Sequence, residues 1–454
     1  MTATTTAPAR ARRAARRSWW ADGLEATVYL VSAAAVAFVI AGGGFLITQP
    51  IDWLYGLGRA AGVVATVFLL TQVLLASRAP YIERAVGHDR AMALHTRLGK
   101  WAIILMIAHA GLIVGVSAVY DGRSPIDQAV TYFTQAWYLA TAQIGLAVFL
   151  LILALSLAIV RRKWRYEAWH AVHYLVYVAA ALVVPHQFLF GSTFVSKGAA
   201  WWFWLALYVI AFGSLIVFRF IRPLVLLRRH DVRVTEVRRL PDGSTSVTME
   251  GRDLHRLKAA PGQFFLWRFL APGFRSEVHP FSLSRAPDAK KLRITVKPSG
   301  DFSSRVGELP VGTRVLVEGP LGVFSDVTRT QPGVVLVAAG IGVTPIRAML
   351  ESVDSAEGPV DVVIRCSTEA EAPLLDEVRE LVAARGATLH VIAGGRGSGW
   401  SSAVTPATLE ELVPDVAKRD VYVCGPRDWA VAVEADALAA GCARRSVHRE
   451  EFAW

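Results

Sequence analysis

Cysteine is scarce in this chain. Three stand in 454 residues, Cys366, Cys424 and Cys442, and none falls in a CxxC, CxxCH or zinc-ligand spacing. That argues against a disulfide scaffold, an iron–sulfur cluster and covalently attached c-type haem. Charge is scarce too: 19 % of residues are charged against 54 % hydrophobic, which argues against disorder and against an average soluble protein. The charge present leans basic, 48 Lys and Arg against 37 Asp and Glu, or +11. The surplus sits beside apolar runs rather than among clustered aromatics. Membrane topology explains it better than nucleic-acid binding.

The apolar residues concentrate in six runs free of charge apart from histidine: 26–51, 60–77, 101–120, 128–160, 168–196 and 198–218. A helix needs about 20 apolar residues to cross a bilayer, so six spanning helices are predicted, the run at 60–77 being the shortest. With six spans both termini share a side. That side carries the arginines at 10–17 and the basic clusters at 78–100, 161–165 and 219–229; the opposite side holds Arg59, Arg123 and Lys197. The positive-inside rule therefore places both termini in the cytoplasm, as in a multi-pass protein of a bacterial inner membrane. The first run is too long for a cleaved signal sequence. The domain limits read as a tail at 1–24, a membrane domain at 25–222 and soluble domains at 229–328 and 332–454.

Ionisable residues inside spans are costly and so suggest function. The third run and its N-terminal flank carry His95 and His109; the fifth carries His170, His173 and His186. A separation of 14 residues is about 21 Å of helix rise, and 13 residues about 20 Å. The third and fifth spans run the same way. His95 and His173 therefore share the cytoplasmic level, and His109 and His186 the outer one. Two stacked imidazole pairs suit two b-type haems, each iron held on both faces. Thirteen positions leave His173 and His186 about 140° apart in phase, and a kink at Pro185 is expected to restore it. His170 is the rival inner ligand.

Beyond 231 the pattern changes to short strands at 231–238, 244–250, 263–269, 291–296 and 314–318, separated by Pro–Gly turns, predicting a small antiparallel barrel. It holds His279-Pro280-Phe281-Ser282-Leu283-Ser284, then Gly300-Asp301-Phe302-Ser303-Ser304, then Glu318-Gly319-Pro320-Leu321-Gly322. In order, these offer the ring face, hydroxyl donors and amide-rich turn that a flavin dinucleotide needs. From 333 the pattern is α/β. Strands at 334–338, 360–365, 388–393 and 420–424 alternate with helices at 346–352, 374–384, 406–413 and 428–440, predicting a doubly wound parallel sheet. Gly340, Gly342, Thr344 and Pro345 sit at a strand–helix junction, where phosphate can approach backbone. Cys424-Gly425-Pro426 closes another strand on the same edge, which puts Cys424 either against a nicotinamide or in the core. Arg365 and Ser367 after the second strand, with Arg396 as a second cation, favour a 2′-phosphate and hence NADPH over NADH.

In sum the chain resembles the ferric reductase / NADPH oxidase family of transmembrane flavocytochromes b. The paired histidines, Tyr166-Glu167, Pro261-Gly262-Gln263-Phe264, His279-Pro280-Phe281-Ser282, Gly300-Asp301-Phe302-Ser303, Ala339-Gly340-Ile341-Gly342-Val343-Thr344-Pro345, Cys424-Gly425-Pro426 and Glu451-Phe452 carry the resemblance. It implies a two-haem membrane half joined to a ferredoxin-reductase-like half that binds FAD and NADPH. Ser282 would lie near the reactive edge of the flavin, Ser303 and Ser304 near the FAD phosphates, and Gly340, Gly342 and Thr344 near those of NADPH. Phe452 would lie near the flavin ring. The chain departs from the family by continuing to Trp454, which is placed to share the stacking role. It lacks EF-hand loops, so calcium gating is not indicated.

The resulting expectation is an NAD(P)H oxidoreductase that feeds a small outer acceptor, oxygen or a ferric chelate. The alternatives are an electron-supply subunit for a protein partner, or a non-enzymatic b-type membrane protein. The loops at 120–135 and 188–198 are the expected acceptor surface.

Overall fold

The computed structural model describes residues 7–156, 166–195, 198–395, 397, 399–404 and 406–451. Two compact units form, one of Trp20–Phe220 and one containing Ile221–Trp454.

In the first unit, six helices are long and apolar enough to cross a membrane: Asp22–Ala41, Asp52–Ala76, Arg90–Tyr120, Trp137–Ser156, Trp169–Phe190 and Ala199–His230. The second, predicted from the shortest apolar run, is 25 residues long and the most embedded, with half of its apolar stretch buried. Glycines explain its fit. A side chain at Gly58 would come within 3.0 Å of Leu112 Cβ, and one at Gly62 would strike His109 on the third span. Gly145 does the same for the fourth and fifth spans, where a Cβ would lie 2.8 Å from Val183 Cγ1. Without a hydrophobic drive between helices in lipid, such close approach is what packs them.

Three expectations need correcting. The run at 128–160 is two helices, Pro125–Gln135 and Trp137–Ser156, divided by an extended residue, Ala136 (φ −143°, ψ 117°); residues 157–160 lie outside the described residues. Ser124 caps the first of the pair, its hydroxyl accepting from the Asp127 N–H at 3.1 Å, so much of the expected outer loop is helical. Next, Pro185, where a kink is expected, does not interrupt its helix. Helix Leu175–Phe190 runs through Pro185, and the interruption is at Tyr174, whose carbonyl accepts from the Tyr177 N–H at 3.1 Å in a tightened turn. Last, the sixth helix does not stop at 218: it passes through a π-helical turn, Ile216–Ile221, into Arg222–His230.

In the second unit, two three-stranded antiparallel sheets, β1-β2-β5 and β4-β3-β6, form the predicted barrel. The strands are β1 Arg233–Arg239, β2 Thr245–Glu250, β3 Phe264–Phe269, β4 His279–Ser282, β5 Lys291–Val296 and β6 Val315–Leu321. Single bridges at Arg233–Arg314 and Leu283–Ile294 join the sheets at both seams. Phe265, Trp267, Phe269, Met249 and Leu292 fill the interior. β4 was read from sequence only as a motif, since Pro280 lowers strand propensity; it lies at a sheet edge, where the missing N–H costs least. Arg222 donates to Gly319 O at 3.0 Å and His230 Nδ1 to Arg252 O at 2.7 Å, fixing helix Arg222–His230 against the barrel.

The nucleotide domain is a five-stranded parallel sheet in the order β11-β10-β7-β8-β9, with β7 Gly333–Ala339, β8 Val360–Cys366, β9 Thr388–Ala393, β10 Arg419–Gly425 and β11 Val447–Glu451. The chain runs outward from β7 to β9, then returns to β10 on the other side of β7. The switch point therefore lies between β7 and β10. Glu377 joins barrel and sheet: it accepts from Arg293 at 2.7 and 3.0 Å and pairs with Arg347 at 2.8 Å.

Candidate functional site

The membrane histidines meet in the predicted pairs. The ring centres of His95 and His173 are 6.4 Å apart, and those of His109 and His186 also 6.4 Å. An imidazole on each face of one metal ion, with bonds of about 2.0–2.1 Å and about 1.1 Å more to each ring centre, places ring centres about 6.3 Å apart. The residues present thus fit a six-coordinate iron at each level. Ring planes crossing at 62° and 34° are compatible, because two imidazoles on one metal ion can meet at any mutual angle. The Nδ1 atoms of His95, His173 and His186 are buried without a hydrogen bond among the described residues. His170 turns away: its Nε2 lies 2.8 Å from the Tyr174 hydroxyl, which also accepts from Arg219 at 3.2 Å.

On the barrel, β4 brings His279, Pro280, Phe281 and Ser282 to one edge. Ser282 is 4 % exposed and its hydroxyl has no partner among the described residues. A buried orphan hydroxyl is expensive, and it fits the edge of a flavin ring. His279 stacks on Phe302 at 3.9 Å and bonds Glu277 through Nε2 at 3.1 Å. Ser284 is spent inside the fold, where its hydroxyl accepts from Thr295 and Arg293 at 2.9 and 3.1 Å. Ser303 is engaged too, accepting from the N–H groups of Ser299 and Gly300 at 2.9 Å each. Gly300 and Ser304 are exposed beside it.

At the sheet's switch point Gly342 meets the end of β10. A Cβ there would lie 2.2 Å from Cys424 O and 2.8 Å from Gly425 N, so only glycine fits. Gly340 takes φ +54°, and Thr344 and Pro345 lie buried in the helix Val343–Leu350 that follows. Ser367 and Pro426 are exposed at the same edge. Two residues behave otherwise than expected. Cys424 is wholly buried in the core with Tyr422, and burial pushes its thiol well above the usual range; it presents no open sulfur. Arg365 is buried, and its guanidinium donates to the carbonyls of Cys366, Gly395 (2.7 Å) and Ser401 (3.2 Å); it clamps the loop after β9. Arg396, Phe452 and Trp454 lie outside the described residues.

Residues 61–184 match the family described as "Ferric reductase like transmembrane component", 229–325 an "FAD-binding domain" and 336–435 an "Oxidoreductase NAD-binding domain". By these matches the chain joins a ferric-reductase-like membrane component to the FAD-binding and NAD-binding domains of oxidoreductases. Its relatives include Dual oxidase 1 of Rattus norvegicus, 25 % identical over 71 % of this chain and 22 % of the relative. Another is the glycine betaine monooxygenase reductase subunit of Chromohalobacter salexigens, 28 % identical over 42 % of this chain and 55 % of the relative. The chain thus spans about half or less of these relatives' length. Among solved structures, the FAD/NAD-binding domain of a nitric oxide dioxygenase from Vibrio cholerae aligns at 26 % identity and TM-score 0.43, over 50 % of this chain and 99 % of that one.

Several residues around the histidines escaped sequence reasoning. Gln72 donates to His95 O at 2.8 Å, and Gln187, beside His186, donates to Thr66 at 3.2 Å and accepts from Tyr208. All lie in or beside the apolar runs, and their uncommon polarity is the signal available. The Gly58-x-x-x-Gly62 spacing is a second signal, that of closely packed spans.

Proposed function

We propose that this protein moves electrons from NADPH, through FAD and two stacked b-type haems, to oxygen across the membrane. One NADPH would yield NADP+, a proton and two electrons, which reduce two oxygen molecules to superoxide. When bound, the flavin converts a hydride into single electrons, and six-coordinate haem carries them one at a time. The observation that carries this reading is the two imidazole pairs, each at metal-bridging separation, within one chain with flavin and nucleotide domains.

The chain's own residues divide the work. His95 with His173, and His109 with His186, hold the two levels. Two histidines committed at each level would leave the bound haem to supply electrons rather than a binding site for oxygen. Ser282 would bond the flavin edge, Gly300, Ser303 and Ser304 would lie near its phosphates, and Phe281 near its ring; Phe452, expected beside the ring, lies outside the described residues. Gly340, Gly342 and Thr344 admit the nucleotide phosphates, and Gly425 and Pro426 border the nicotinamide. The flavin module is assigned to 229–328 and the nucleotide module to 332–454. The basic clusters at 78–100 and 219–229 support a cytoplasmic position for both termini in a bacterial inner membrane.

The match to a ferric-reductase-like component favours a second reading, in which a ferric chelate is the acceptor. Anaerobic NADPH added to detergent-solubilised protein should produce reduced low-spin b-haem bands. Oxygen or a ferric chelate admitted afterwards should erase them, and whichever does so names the acceptor. Failure of NADPH to reduce any haem would refute the proposal. Bands that persist until a partner protein is added would replace it with the electron-supply role.

A further inference from the structure

The second spanning helix carries none of the four paired histidines, yet it touches one directly. His109 Nδ1 lies 2.8 Å from the carbonyl oxygen of Gly58. A carbonyl only accepts, so Nδ1 carries the hydrogen and Nε2 keeps its lone pair for ligation. Gly62 stands one turn further along the same helix. A helical side chain leans toward the N-terminus and covers the turn before it, so a residue at 62 would shield the Gly58 carbonyl. A Cβ at Gly62 would lie 2.6 Å from His109 Nδ1 and 2.9 Å from its Cε1. The absence of that one atom opens the carbonyl to the ring. His109 differs here from His95, His173 and His186, whose Nδ1 atoms are buried without a hydrogen bond among the described residues.

We infer that Gly58 and Gly62 form a positioning site for His109, which sets the tautomer, orientation and basicity of that ligand alone. This rests on the di-haem reading above. A hydrogen-bond acceptor on Nδ1 raises the electron donation of an imidazole to its metal and fixes the ring plane. It therefore favours the ferric state and lowers the potential of the level it serves. Neither glycine touches the metal; both act through the histidine.

The test uses full-length detergent-solubilised protein and its Gly62→Ala variant. His186→Ala serves as reference, the haem it loses being the outer one. Low-spin ferric EPR and a redox titration followed by b-haem absorbance are the readouts. Gly62→Ala should change the EPR signal of the outer haem and raise its potential, leaving the inner haem and its reduction by NADPH as in the parent. Selective loss of the outer haem, with the inner retained and Val64→Ala on the same helix retaining both, also supports the site, because the displaced imidazole then no longer ligates. An outer haem unchanged in spectrum and potential overturns the inference, as does equal disturbance of both haems. Absence of any b-haem from the parent protein would instead refute the di-haem reading itself.

Discussion

Replacing Ser282 with alanine should have opposite effects on the flavin-free and flavin-bound protein. The Ser282 side chain is buried at the edge of β4, and its hydroxyl has no partner among the described residues. Leaving such a group unsatisfied costs about 1–3 kcal/mol. Ser282→Ala removes that cost, so protein stripped of flavin should unfold later by up to this amount. If the hydroxyl bonds the flavin, the variant forfeits the same energy on binding. At 1.4 kcal/mol per tenfold, its FAD dissociation constant should rise about 5- to 150-fold. Two measurements decide it: thermal unfolding of the flavin-free protein, and flavin fluorescence quenching on titration with FAD. If affinity stays within twofold of the parent, the hydroxyl does not face the cofactor. If stability falls instead, it has a partner in the fold and the reasoning fails at its first step.

Other substitutions test the remaining parts. Gly342→Ala forces a Cβ to within 2.2 Å of Cys424 O at the switch point; the overpacking, about 1–3 kcal/mol, should raise KM for NADPH by at least fivefold, while dithionite still reduces the flavin normally. Arg365→Ala, which removes three donors to backbone carbonyls, should destabilise the nucleotide domain and leave the NADPH-to-NADH preference within threefold; a tenfold fall in that preference would restore Arg365 as a ligand of the 2′-phosphate. Burial opposes ionisation of Glu377, but Arg293 and Arg347 overcome it, so its carboxyl lies below the usual range. A depressed carboxylate contributes stability above its unfolded pKa and loses it as pH falls through the folded one. Glu377→Gln should therefore flatten the acid limb of the unfolding profile below about pH 4.5, and an unaltered limb would show that the ion pairs add nothing.

Much of the organisation was legible because it follows from local chemistry. Twenty-residue apolar runs have few alternatives to spanning helices, and the alternation in 244–250 or 291–296 has few alternatives to strands. Helical rise alone placed four histidines at two depths. Even the strand–helix junction at Gly340 and Gly342 was visible, since its glycines punctuate an otherwise apolar segment.

What needed the folded chain was every property that depends on a distant neighbour. Cys424 and Arg365 look like site residues by their position after strands, but their exposure depends on what packs above them, and both are occupied or covered. His170 and His173 differ by three positions, and only the turn at Tyr174 and the placement of the third span give His173 the partner. Periodicity and composition act within about one turn or one strand, so they specify elements and depths; which face meets which, and which polar group is left unsatisfied, is settled by contacts between residues tens or hundreds of positions apart.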